Sequence, residues 1–81
     1  MGERRDDSRR RVLKSAKISF NNGMSCIDCS VRNVSSTGAC LEVVSPVGVP
    51  SKFELLIQDE RFARPCYVAW RGEKRIGVAF Y

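Results

Sequence analysis

Apolar residues recur at every second position in six short stretches of this chain. Alternation of period two is typical of a β-strand with one buried face, and no stretch keeps the 3.6-residue period of an amphipathic helix. The pattern therefore predicts six strands and no helix. The strands are expected at residues 16–20, 27–31, 39–43, 53–57, 62–70 and 76–80.

Turn-forming residues separate the predicted strands. Asn21, Asn22 and Gly23 follow the first strand, and these residue types tolerate the positive φ angles that tight hairpins require. Residues 33–38 are rich in Ser, Thr and Gly and predict a loop after the second strand. A longer connection is expected at residues 45–51, which contain two prolines and a glycine.

Six short strands with closely spaced turns predict a small closed antiparallel β-barrel, because closure removes edges that so small a sheet could not cover. A β-sandwich is the alternative. Pro65 predicts an edge position or a bulge in the fifth strand, since proline cannot donate to a ladder. The inward-facing residues are predicted to be Ile18, Phe20, Ile27, Cys29, Val31, Leu41, Val43, Phe53, Leu55, Ile57, Val68, Trp70, Ile76, Val78 and Phe80.

The N-terminal residues differ in character from the rest of the chain. Hydrophobic alternation is absent there, and five arginines fall within the first dozen residues: Arg4, Arg5, Arg9, Arg10 and Arg11. We expect residues 1–12 to be a flexible basic arm and residues 13–81 to be the barrel.

Composition narrows the possible functions. The chain has 81 residues, 43% hydrophobic and 28% charged, which favours one folded domain. It contains no histidine, and spacing reveals no carboxylate pair or activated serine, so we expect no enzyme. A net charge of +5 favours anionic partners. No apolar run approaches the roughly 18 residues that cross a bilayer. We therefore expect a cytoplasmic protein without a membrane partner.

Four cysteines raise the question of a metal site or disulfides. Cys26 and Cys29 are spaced C-x-x-C, but an extended strand places them on opposite faces, and Cys40 and Cys66 form no second pair. We expect reduced thiols that pack as small hydrophobic side chains, with neither a metal nor a cofactor.

Two motifs stand in order along the chain. The arm contains R-x-x-x-R at Arg5 and Arg9, and the loop after the second predicted strand contains N-x-S-x-x-G at Asn33, Ser35 and Gly38. Together they resemble the signature of the PilZ domain family, whose members are six-stranded antiparallel β-barrels that bind the bacterial second messenger cyclic diguanylate.

The resemblance extends to the end of the chain, where W-R-x-x-x-x-I-G-V-A-F over residues 70–80 resembles the family's last two strands. It implies that the arm becomes ordered around cyclic diguanylate and thereby alters contacts with a downstream protein partner. The residues it implies for ligand binding are Arg4, Arg5 and Arg9 in the arm and Asn33, Ser35, Ser36, Gly38 and Trp70 on the barrel.

Two other functions fit the residues. A small basic barrel could bind nucleic acid through the arm, with Phe62, Tyr67 and Tyr81 as outward-facing aromatic side chains for stacking. A member of the family could also have lost the ligand and retained only protein contacts.

Overall fold

The structure is a computed structural model that describes residues 10–81, with side chains from residue 12 onward. No helix among these residues is long and apolar enough to cross a membrane. The elements are six strands: β1 (Arg10–Phe20), β2 (Ser25–Val34), β3 (Gly38–Glu42), β4 (Lys52–Ile57), β5 (Arg64–Arg71) and β6 (Arg75–Phe80).

The strands close into an antiparallel barrel in the order β1-β2-β3-β6-β5-β4. Closure is made by β1 and β4, which pair with Ala16 opposite Ile57 and Ser19 opposite Glu54. The predicted six-stranded barrel is therefore confirmed, and the sandwich is not adopted. β1 begins at Arg10, and the division between arm and barrel at residue 12 stays a prediction.

The turns have the backbone that their residues favour. Asn21, Asn22 and Gly23 have φ angles of 55°, 56° and 83°, and the Gly23 amide donates to the Phe20 carbonyl. Asn and Gly are the residues that adopt this left-handed conformation at least cost. The turn predicted here is confirmed, and it joins the two longest strands.

The core fills the barrel interior. Side chains of the predicted inward set occupy it, with Phe20, Ile27, Val68 and Phe80 partly buried at its margins. Alternation did not predict Val49, which lies in the connection between β3 and β4 and is 4% exposed. The buried cluster is Ala16, Ile18, Cys29, Val31, Ala39, Leu41, Val43, Val49, Phe53, Leu55, Ile57, Cys66, Ile76 and Val78.

The prediction of an inward-facing side chain was wrong for one residue. Trp70 is 51% exposed, because a β-bulge interrupts β5 between Val68 and Trp70 and reverses the face that the tryptophan occupies. Pro65 predicts an edge position or a bulge in β5. The bulge lies nearer the end of the strand, and Pro65 itself pairs with Glu54 near the start of β5.

Adjacent leucines in β4 test this alternation. Leu55 is fully buried and Leu56 is 44% exposed. Leu55→Ala should lower the free energy of unfolding by about 2–5 kcal/mol, because it leaves a cavity in the core. Leu56→Ala is the matched control, with an expected change below about 1 kcal/mol. Urea denaturation followed by circular dichroism measures both, and equal losses would contradict the assigned faces.

Candidate ligand-binding face

A bulge in β2 determines which way Asn33 faces. Val31 pairs with Leu41 and Asn33 pairs with Cys40, so that Arg32 is an extra residue in β2. Simple alternation from the buried Val31 would place Asn33 inside the barrel. The bulge instead places it on the face of Cys40, which lies between two core residues of β3 and therefore faces outward.

The bulge in β5 has the same effect on Trp70. Val68 pairs with Val78 and Trp70 pairs with Gly77, so that Ala69 is the extra residue. The tryptophan ring lies against Gly77: a β-carbon built there would be 2.0 Å from the Trp70 Nε1 atom. The absence of a side chain at Gly77 therefore lets the indole lie over β6.

The two bulges align their residues in one row across the outside of the barrel. Asn33 pairs with Cys40, Cys40 with Gly77, and Gly77 with Trp70. We call these four residues the outer row. Neighbouring strands are about 4.8 Å apart, so the row spans about 14 Å along the sheet. Arg11 is the backbone partner of Asn33 and places β1 at one end of the row.

The loop after β2 is held in shape by Ser35. Its hydroxyl accepts hydrogen bonds from the backbone amides of Thr37 and Gly38, at 3.2 and 3.3 Å. The Ser35 amide in turn donates to the Gly38 carbonyl at 2.8 Å. Serine suits such a turn because its short hydroxyl reaches the backbone amides that follow it. Ser36 lies exposed at the tip.

Gly38 is required by a close approach of two strands. A β-carbon at this position would lie 2.3 Å from the carbonyl oxygen of Val78 in β6. Gly38 pairs with Ala79, and the Phe80 amide donates to the Thr37 carbonyl at 2.8 Å. The loop is thus fixed against β6, at one end of the barrel.

The chain enters the barrel beside this loop. Arg10, the first residue of β1, pairs with Val34, the last residue of β2, directly before Ser35. Arg4, Arg5 and Arg9 lie outside the described residues. Because Arg9 is bonded to Arg10, the second arginine of the R-x-x-x-R motif is one residue from the point where the chain meets the loop. The described chain therefore begins beside the N-x-S-x-x-G loop.

A separate groove of about 980 Å³ lies over β1 and β2 and includes no residue of the outer row. Its charged lining residues are Lys17, Asp28, Glu42, Glu60 and Lys74. Asp28 binds Lys17 at 2.7 Å, and this hydrogen bond and its charge raise the pKa of the lysine. The lining residues comprise three acids and two lysines, a formal charge of −1.

The cysteines occupy different environments. Cys26 is exposed and Cys29 buried, as the opposite faces of a strand require. Burial raises the pKa of the Cys29 thiol to about 11 and that of Cys66 to about 12. In residues 12–81, no group of three metal-ligating side chains comes together.

Comparison with known proteins places this fold and these motifs in a family. The model of the PilZ domain family matches residues 3–81. The chain belongs to the PilZ domain family. The crystal structure of the PilZ domain of CeSA, from a cellulose-synthesizing bacterium, is similar with a TM-score of 0.68 and 14% identity over 90% of this chain and 79% of that one. No curated protein matches the chain.

PilZ domains are ligand-binding and adaptor domains and form a family of cyclic diguanylate receptors. In this PilZ domain, the structure brings Asn33, Ser35 and Gly38 to one end of the barrel, and the outer row joins Asn33 to Trp70. The sequence did not predict that Cys40 and Gly77 lie between Asn33 and Trp70. The only available signal for Gly77 was a glycine within a strand, which often marks a close approach.

Gly38→Ala tests the close approach at the loop of the PilZ domain. The added methyl group would meet the Val78 carbonyl, so the variant should lose about 1–3 kcal/mol of unfolding free energy. Gly72→Ala is the comparison, because its β-carbon would meet the Arg75 carbonyl at 3.3 Å, a tight contact but a longer one than at Gly38, so its loss of stability should be smaller. Thermal denaturation measures both. A Gly38 variant as stable as the parent would contradict the geometry.

Gly77→Ala tests the position of the indole. The new methyl group would occupy the place of the Trp70 ring, which must swing away from β6 toward water. Trp70 is the single tryptophan of the chain, so its fluorescence reports this movement alone. We expect emission at longer wavelength, with a stability change below about 1 kcal/mol because the displaced ring is at the surface. Unchanged emission would show that the ring does not lie on Gly77.

Proposed function

We propose that this protein is a receptor for cyclic diguanylate that binds the ligand between the arginine arm and the outer face of β2, β3, β5 and β6. The observation that carries the proposal is the pairing of Arg10 with Val34, which brings the start of the barrel next to the N-x-S-x-x-G loop. Membership of the PilZ domain family supports the identity of the ligand.

The roles of the arm residues follow from the chemistry of guanidinium groups. Arg5 and Arg9, with Arg4 as a third contact, bind the phosphates and guanine bases, since arginine forms bidentate hydrogen bonds to both. Asp6 and Asp7 lie between them in the sequence and oppose a dianion through their charge. The arm therefore has to place its arginines toward the ligand and its acids away from it.

The barrel supplies a preformed surface. Asn33 faces outward beside Cys40, the Ser35 hydroxyl fixes the turn, and Gly38 lets the loop lie close to β6. Ser36 lies exposed at the tip of the loop, where its backbone can meet the ligand. Trp70 presents a half-exposed indole at the far end of the row, suited to stacking on a base.

Signalling consists of ordering the arm. Fixing about six residues costs about 1–2 kcal/mol each. Hydrogen bonds to charged groups contribute about 1.5–3 kcal/mol each. Several such bonds, together with base stacking, outweigh the ordering cost. The ordered arm then changes the surface that a downstream protein partner meets. No catalytic step is involved.

Arginine variants test the site. Arg5→Ala and Arg9→Ala should each weaken cyclic diguanylate binding by more than about tenfold, which corresponds to the loss of at least one charge-assisted hydrogen bond. Arg61→Ala is the matched control, because Arg61 is exposed and lies in the β4–β5 connection. Calorimetry gives the affinities and backbone amide shifts show which segments respond. Equal binding by all four proteins would refute the assignment.

Salt dependence separates this function from nucleic-acid binding. Phe62, Tyr67 and Tyr81 are exposed, as predicted, and Tyr67 and Tyr81 contact each other with ring centroids 5.1 Å apart. If they served single-stranded nucleic acid, affinity would fall steeply with salt and show little base preference. We expect instead that cyclic diguanylate binds in preference to other nucleotides and oligonucleotides. A protein that binds no nucleotide would have retained only protein contacts.

A further inference from the structure

The connection between β3 and β4 exposes two aliphatic side chains. Val44 is 91% exposed and Val47 is 86% exposed, the two largest exposed fractions of any large apolar side chain in residues 12–81. A single exposed apolar residue is ordinary at a protein surface, whereas neighbouring ones mark a surface that contacts something else. The connection is therefore a candidate docking surface.

Hydrogen bonds give this connection a defined shape. Val49 is buried in the core, and its amide donates to the Pro46 carbonyl at 3.1 Å. The Arg71 guanidinium in β5 donates to the same carbonyl at 3.1 Å. The Val47 amide donates to the Ser45 hydroxyl at 3.2 Å. The exposed valines thus belong to a structured loop, anchored to the core on one side and to β5 on the other.

Basic side chains surround the loop. The Val43 amide donates to the Lys74 carbonyl at 2.8 Å, which fixes the start of the loop against the β5–β6 hairpin. Residues 43–52 and 71–75, which we call the basic loop surface, contain four basic residues and one acid, a formal charge of +3. In the part of the chain that the structure describes, the four basic side chains are exposed and form no ion pair. They are Lys52, Arg71, Lys74 and Arg75.

The neighbouring acids do not neutralise this charge. Val44 also lines the groove over β1 and β2, and each of the three acids of that groove is already in an ion pair with another basic residue. The pairs are Asp28 with Lys17, Glu42 with Arg32 and Glu60 with Arg64. The basic loop surface therefore presents two aliphatic side chains among uncompensated cations.

We propose that the basic loop surface docks on a membrane with anionic headgroups, with Val44 and Val47 entering the headgroup layer and the cations contacting lipid phosphates. Aliphatic side chains gain free energy by leaving water. Each Lys or Arg near an anionic bilayer strengthens binding by about fivefold. The two contributions reinforce each other, as in other proteins that lie on a bilayer surface. The inference goes beyond the proposed function and does not require cyclic diguanylate.

The combination of side chains favours a lipid surface over other anionic partners. A nucleic acid would contact the cations through its phosphates but leave the valines in water. Protein interfaces draw most of their binding energy from Trp, Tyr and Arg, and valine is under-represented among those residues. The sequence predicted no membrane partner because no apolar run is long enough to span a bilayer, but docking on one surface needs no span.

Flotation with lipid vesicles tests the docking, with no cyclic diguanylate present. The parent protein should float with vesicles of phosphatidylcholine and phosphatidylglycerol, and much less with phosphatidylcholine alone. Val44→Ser combined with Val47→Ser should weaken binding to the anionic vesicles by more than about tenfold. Phe62→Ser is the matched control, because Phe62 is 76% exposed in the connection at the other end of β4. It should bind like the parent.

A charge variant tests the cations separately. Lys74→Gln should weaken binding to the anionic vesicles by about fivefold, and added salt should weaken binding by the parent. Arg61→Gln removes the same charge from the β4–β5 connection and is the matched control. Melting temperatures establish that each variant is folded.

A measurement on the parent protein makes the test independent of any variant. A nitroxide-labelled lipid in the anionic vesicles should broaden the backbone amide signals of residues 43–48 more than those of residues 58–63, because only the first loop approaches the bilayer. Equal broadening of both loops would contradict the proposal.

The remaining outcomes are as clear. A parent protein that does not float with anionic vesicles overturns the proposal. Valine variants that float like the parent also overturn it, since the arginine arm alone would then account for the binding. Because these experiments contain no cyclic diguanylate, their failure leaves the proposed function standing, and a failure of cyclic diguanylate binding leaves this inference standing.

Discussion

The outer surface of this barrel depends on two β-bulges. Each inserts one residue, Arg32 in β2 and Ala69 in β5, and each reverses the face of the residues that follow. Without them, Asn33 and Trp70 would point into a core that has no partner for an amide and no room for an indole. With them, both side chains lie on one row outside the barrel. The same backbone feature thus protects the core and builds the candidate site.

The bulges also explain how far the sequence could be interpreted. Period-two alternation predicted the six strands and most of the core, because in a small barrel every strand has one buried face. The same rule was wrong for Trp70, since an inserted residue shifts the phase and Ala69 carries no compositional sign of a bulge. The burial of Val49 was not predicted, for a related reason. It lies in a connection with two prolines, where no periodicity marks a buried residue.

The site motifs do not follow from alternation. The N-x-S-x-x-G loop resembles a family signature, and the structure supplies a physical reason for two of its residues. The Ser35 hydroxyl accepts hydrogen bonds from two backbone amides of the turn. Gly38 permits a close approach to Val78 that any other residue would obstruct. Cys40 and Gly77 could not be found from sequence, because their relation to Asn33 and Trp70 arises only from the register of four strands.

The connection of arm to barrel bears on how ligand binding could be transmitted. Arg10 pairs with Val34, so the arm has only a few residues in which to reach a ligand beside the loop. The entropy of closing a loop rises with its length, and a short arm therefore closes at low cost. In the proposed function, the arginines of the arm and the outer row are the two sides of one site, and the barrel fixes the outer row. Most side chains that maintain the fold face inward, whereas Gly38 is an outward position that the fold itself constrains through its close approach to Val78.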